Sequence, residues 1–142
     1  LATAVKPQAV CYTKTMQTTK LMKRIVSAEY LAAAVIVAIF YVVVGNFPWY
    51  WLFILFFVVD LSALGYMANT RIGALIYNIG HSLIGPTLLV ALYIATTNQV
   101  VLFISLIWLF HILVDRALGY GLKHTTGFHQ THLGPIGKAK KS

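Results

Sequence analysis

Acidic residues are almost missing from this chain: three of its 142 positions, against eleven Lys and Arg, for a formal charge of +8. Cysteine is scarcer, with Cys11 alone. One thiol excludes an internal disulfide and a cysteine-built metal cluster. Charge of either sign makes up only 10% of the residues, where a soluble domain carries roughly a quarter. With 59% hydrophobic residues and a mean hydropathy of +0.79, this excludes an ordinary water-soluble domain and a disordered chain. A basic balance suits nucleic acid or an anionic membrane. This hydropathy makes membrane lipids the expected partner, and nucleic acid is not expected.

What the chain does have is four apolar runs, at about 25–45, 49–67, 72–96 and 100–119. Each is near the roughly 20 residues needed to cross a hydrocarbon core of ~30 Å. Gly45, Asn46 and Pro48 close the first with turn chemistry. Trp49, Tyr50 and Trp51 open the second with aromatics suited to a membrane interface. The connections at 68–71 and 96–99 are short and polar, so neighbouring runs are antiparallel. The expected fold is all-α: a polytopic membrane protein with four transmembrane helices in a compact bundle. Residues 1–22 read as a polar N-terminal extension, 23–121 as the membrane domain, and 122–142 as a basic tail rich in His and Gly.

The cations set an expected orientation. Lys6, Lys14, Lys20, Lys23 and Arg24 precede the first run, and Arg71 lies between the second and third. Lys123, Lys138, Lys140 and Lys141 follow the fourth, while 45–48 and 96–99 carry no charge. The positive-inside rule puts both termini in the cytoplasm, across the cytoplasmic (inner) membrane.

All three acids, Glu29, Asp60 and Asp115, fall inside apolar runs. An ionisable group there costs roughly 2.5–3.5 kcal/mol on insertion scales and usually faces the bundle interior. At ~1.5 Å per residue, Asp60 lies ~12 Å below the cytoplasmic edge of span two, His81 ~13 Å below that edge in span three, and His111 ~12 Å below it in span four. Asp115 follows His111 by one helical turn and shares its face. Asn78 and Ser82 flank His81 and are the expected orienting groups. Pro86 follows Gly85 one turn beyond His81, where it predicts a kink that frees the Ser82 carbonyl. Gly65, Gly73 and Gly80 predict close helix contacts.

Several chemistries fit this layer. His81, His111, Asp60 and Asp115 offer the mixed N/O ligands that suit zinc or non-haem iron. They would be catalytic groups if the metal acts on a lipid or membrane-soluble substrate. His81 and His111 could instead be axial ligands of a haem. The four groups could relay protons or ions, or form a hydrogen-bond network that only fixes the bundle. At the end of span four and beyond it, Arg116, Lys123 and His132 could bind phosphate or a lipid head group. The segment could also fold back over the polar layer. His129 and His132 have an HxxH spacing with no acid beside them. Phe53, Phe56, Phe57 and Trp108 are expected on outer faces, against lipid or the helices of a partner protein, which would make the chain an accessory subunit of a larger membrane complex.

The stretch from His111 through Asp115, Arg116, Gly119, Tyr120, Gly121 and Lys123, with Phe128 and Thr131 to Gly134, resembles a bacterial family of small integral membrane proteins catalogued as domain of unknown function 4260. Asp60 to Tyr66 and Tyr77 to Ser82 are similar to that family's other characteristic stretches. The resemblance covers about 24–137. It implies a four-helix membrane protein and brings no activity with it.

Overall fold

The computed structural model describes residues 7–125 and 127–136, with side chains from residue 19 onward except that of Pro135. Residues 1–6, including Lys6, lie outside the described residues. So do Lys138, Lys140 and Lys141 of the tail and the side chains of Cys11 and Lys14.

Four stretches are long and apolar enough to cross a membrane: Thr19–Val43, Tyr50–Met67, Thr70–Thr96 and Gln99–Leu118. They are built from α1 (Pro7–Val43), α2 (Tyr50–Ile54), a 3-10 helix (Phe56–Met67), α3 (Thr70–Gly80), α4 (Ile84–Thr96) and α5 (Gln99–Leu118). The chain is an all-α membrane protein of four spans. Helix α1 begins at Pro7, so the helix runs through the polar segment ahead of the first span. Helix α5 is central and packs against α1, α4 and the 3-10 helix, which in turn pairs with α3. Tyr41, Leu52, Leu102, Leu106 and Ile107 form the apolar core. Ile36, Phe57, Ile84 and Ile94 are exposed, as the lipid-facing side of a bundle must be.

Span two departs from a plain α-helix. Twelve of its residues wind with three residues per turn. Phe56, Phe57, Val58 and Val59, aromatic or β-branched, open that segment, and such side chains crowd the preceding α-helical turn. The tighter winding rises ~2.0 Å per residue instead of ~1.5 Å. A stretch of 18 residues then reaches about 33 Å rather than about 27 Å, enough for the hydrocarbon thickness.

Span three departs in a different way. The predicted kink is a full break: α3 ends at Gly80 and α4 starts at Ile84, with residues 81–83 between them. Pro86 therefore lies in the first turn of α4, where a missing N–H costs nothing and the fixed φ is already helical. The proline marks a helix start.

Helix ends elsewhere follow the turn chemistry of the sequence. Asn69 Oδ1 accepts from the Ile72 N–H at 2.8 Å, and Asn98 Oδ1 accepts from the Val100 N–H at 2.9 Å. Each satisfies one orphan donor of a helix N-terminus. Gly119, at φ 90°, ends α5 in the left-handed conformation. Beyond it the chain forms a small antiparallel sheet of β1 (Lys123–His124), β2 (Gly127–Thr131) and β3 (Gly134–Pro135). Lys123 pairs with Thr131, and Thr131 with Gly134. This sheet folds back onto α3.

Candidate metal centre

Three spans bring one ionisable layer together. Asp60 comes from the 3-10 helix, His81 from the break after α3, and His111 and Asp115 from α5. One ligand atom of each lies within 4.8 Å of all the others. The two Nε2 atoms are 3.1 Å apart. His81 Nε2 is 3.5 Å from Asp60 Oδ1 and 3.5 Å from Asp115 Oδ2. His111 Nε2 is 3.6 Å and 3.8 Å from the same two oxygens.

These separations have a chemical meaning. A tetrahedron's edge is about 1.63 times its centre-to-vertex distance, so zinc bonds of about 2.0–2.1 Å give edges of about 3.3–3.4 Å. Five of the six edges run from 3.1 to 3.8 Å, and the sixth, Asp60 to Asp115, lies within 4.8 Å. An octahedral ion with bonds of about 2.1 Å needs adjacent ligands about 3.0 Å apart. Five of its edges are close to those of a tetrahedral N2O2 site.

The surroundings orient the ligands. His81 Nδ1 lies 3.0 Å from the Tyr77 carbonyl and 3.3 Å from Ser62 Oγ. The carbonyl can only accept, so Nδ1 carries the proton and the Nε2 lone pair faces the cluster. This is the arrangement by which proteins fix a metal-binding imidazole. The Tyr77 ring stacks on His81 at 3.7 Å and 11°, and its O–H donates to Asp115 Oδ2 at 3.4 Å. Phe56 covers His111, ring to ring, at 4.4 Å. Ser62 reaches His81 because Gly80 has no side chain: a Cβ there would sit 2.9 Å from that of Ser62.

Local polarity is unbalanced. His81 Nε2 and the two carboxylates are acceptors, while His111 brings a single N–H. His111 is fully buried and its Nδ1 has no partner. Side-chain exposure is 2% for His81, 0% for His111, 14% for Asp115 and 46% for Asp60. The cluster therefore opens through Asp60.

The break in span three also releases backbone carbonyls, each costing several kcal/mol if left bare in hydrocarbon. Helix α5 catches two of them. Trp108 Nε1 donates to the Gly80 carbonyl at 2.5 Å, and Arg116 Nη2 donates to the His81 carbonyl at 3.0 Å. Arg116 Nη1 holds the Tyr120 carbonyl at 2.9 Å. The same helix thus supplies two ligands and fixes the strand of backbone that carries a third.

The C-terminal sheet closes the other side. Asn78 Nδ2 donates to the Lys123 carbonyl at 2.9 Å, and the Lys123 N–H donates to Asn78 Oδ1 at 2.7 Å. The Lys123 side chain is buried, with Nζ 4.0 Å from the Phe128 ring centre, 5.0 Å from Tyr77 and 5.9 Å from Tyr120. Burial pushes its ammonium below the ordinary lysine value, with Asp115 and Asp60 pulling the other way. Burial, then the charge of Arg116, likewise pushes His132 below the ordinary imidazole value; its Nδ1 accepts from the Leu122 N–H at 2.8 Å.

The four sequence-predicted ligands meet. The other predicted residues serve elsewhere. Asn78 ties down the sheet, and Ser82 Oγ accepts from the Ile84 N–H at 3.3 Å, at the start of α4. Arg116 and Lys123 are taken up by carbonyls and rings. Phe53 and Phe57 are exposed as expected, but Phe56 and Trp108 turn inward to His111 and Gly80. Ser62 and Tyr77, missed in the sequence, complete the setting of His81.

Fold and site define a four-span membrane protein with a buried His/Asp cluster. The chain belongs to the family described as Domain of unknown function (DUF4260), whose model matches residues 23–136. No curated protein and no solved structure matches it.

Proposed function

We propose that Asp60, His81, His111 and Asp115 hold a divalent metal ion, zinc in first place, and that the metal acts on a lipid or membrane-soluble substrate. The observation that carries this reading is the convergence of three acceptors and a second imidazole on tetrahedral edges, with His81 already locked in the ligating tautomer. With the His111 proton on Nδ1, a bound cation takes a lone pair from all four at once, and zinc so held supplies Lewis-acid chemistry. The donor set also suits non-haem iron, but four of the five edges are nearer the tetrahedral spacing than the shorter octahedral one. Porphyrin fits poorly, because the two carboxylates stand where its plane would pass between the imidazoles. Access supports the substrate class. The C-terminal sheet closes one side, and an opening is at Asp60, in a span whose outer face, with Phe57, Val58 and Leu61, is exposed. In this reading the protein lies in a bacterial inner membrane with both termini in the cytoplasm, so that the sheet is a cytoplasmic cap. Elemental analysis of purified protein tests the claim. The expected result is close to one zinc per chain, with a clear fall in His111→Ala. Folded wild-type protein that stays metal-free after incubation with zinc and iron would end it.

A further inference from the structure

At the end of the bundle where the cations gather, α1 does not close against the C-terminal sheet. Two adjoining cavities, of about 370 and 320 Å³, lie between them and share Lys23 and Ser27 in their walls. Arg24 lines the first, and Arg116 and His132 line the second. Their size lies at the lower end of the range for small-molecule sites. Lys23 and Arg24 are exposed and stand where the apolar stretch of α1 begins. Their charges have no carboxylate partner among the described residues. Lys23 Nζ lies over the turn at Gly134, which has no side chain and whose φ of 115° favours glycine. His132 uses Nδ1 as an acceptor from Leu122, so its Nε2 carries the proton and can donate. Arg116 adds fixed positive charge to the wall while its carbonyl contacts hold it in place. Lys23 shared by both cavities, Arg24 in one wall, and the Arg116 guanidinium and His132 N–H in the other, at the start of the apolar stretch of α1, describe a receptor for a doubly charged anion.

We infer that these cavities bind a phosphate monoester, the head of an anionic lipid or a free phosphate ester. The site is separate from the His/Asp cluster, and its occupancy does not depend on a metal there. Lys23 and Arg24 would grip the phosphate, with His132 donating from the sheet. The sheet thereby becomes part of a binding site as well as a cover.

The test is a titration of the purified full chain in neutral detergent, followed by ³¹P resonance and native mass spectrometry. The probes are dioleoyl phosphatidic acid, glycerol 3-phosphate and phosphatidylcholine. Phosphatidic acid should bind saturably at one site and phosphatidylcholine should not. The double variant Lys23→Gln/Arg24→Gln should weaken binding by at least about tenfold, since each charge-assisted hydrogen bond contributes about one decade. Arg71→Gln removes one cation from the start of α3, away from both cavities, and should change binding less than about twofold. Saturation by phosphatidic acid alone identifies a lipid ligand, and equal binding of glycerol 3-phosphate identifies a soluble one. Binding that never saturates, that Arg71→Gln weakens as much as the double variant, or that the double variant leaves intact would overturn the assignment.

Discussion

Asp60 and Asp115 offer the same chemistry to the cluster but differ in surroundings, and that difference predicts how their removal behaves. Zinc held by four protein ligands contributes roughly 10–16 kcal/mol in small folded sites, or roughly 2.5–4 kcal/mol per ligand. At about 1.4 kcal/mol per decade, losing one ligand weakens binding by roughly 60- to 700-fold. Asp115 is 14% exposed and held by the Tyr77 O–H, so nothing outside can replace it. Asp115→Ala should fall at the upper end, about 700-fold. Asp60 is 46% exposed, and an oxygen from outside can take its place. Asp60→Ala should fall at the lower end, about 60-fold. A chelator competition in detergent measures both. Metal-free stability should move the other way. Without a cation, three acceptors crowd around one N–H, so removing a carboxylate leaves the metal-free protein as stable as wild type or more so, by up to about 1–2 kcal/mol. A purely structural hydrogen-bond network predicts the opposite, a loss of stability with or without metal. Refutation would come from metal-free variants that melt well below metal-free wild type, or from Asp60→Ala losing more zinc affinity than Asp115→Ala.

Other substitutions test the supports of the cluster. Gly85→Ala places a Cβ 2.4 Å from Trp108 Cη2 and should destabilise the protein by about 1–3 kcal/mol, read by thermal unfolding in detergent. Asn78→Leu breaks both contacts to Lys123 and leaves a buried amide unpaired. It should cost about 1–3 kcal/mol and speed proteolysis of the C-terminal sheet before the helices. The His132 imidazole has a pH signature. Its folded value lies below the ordinary 6.5, so the unfolded chain takes up the proton first. Its bond to the Leu122 N–H is complete above 6.5 and is lost as pH falls through the lowered value. Hydrogen exchange at the Leu122 amide should accelerate over that acidic window beyond the intrinsic pH trend, and His132→Phe should abolish the step. Burial is the first cause of the lowering, and the charges of Arg116 of α5 and His124 of β1 add to it.

The ligand set was legible in the sequence because charge inside an apolar span is costly. Asp60, Asp115, His81 and His111 stand out against residues that could simply face lipid; equal depth joins Asp60, His81 and His111, and the one-turn spacing adds Asp115 on the face of His111. The depth estimate survived the 3-10 winding of span two because Asp60 sits only seven residues from the end of that helix at Met67, so the altered rise moves it by only about 4 Å. The four spans were legible for the same reason of composition. The groups that orient the ligands were not. Ser62 looks like a small neutral residue in an apolar run, and its importance arises only from the close pairing at Gly80. Tyr77 carries no signal of its own within an apolar run, and its part arises from the stacking of its ring on His81. The partners of Arg116 and Trp108 depend on where span three breaks. Pro86 predicts a disturbance but not that the helix restarts two residues ahead of it. The sheet after α5 has strands too short to leave a period, and its placement rests on Asn78, 45 positions away from Lys123 in the chain.

X-ray absorption at the metal edge of protein purified with its native metal tests the central claim most directly. The account predicts a single zinc shell of four N and O atoms at about 2.0–2.1 Å, with the outer-ring scattering of two imidazoles and no sulfur. Loss of one imidazole signal in His81→Ala should accompany it. A shell without histidine scattering, or a signal unchanged in His81→Ala, would contradict a metal held by His81, His111, Asp60 and Asp115.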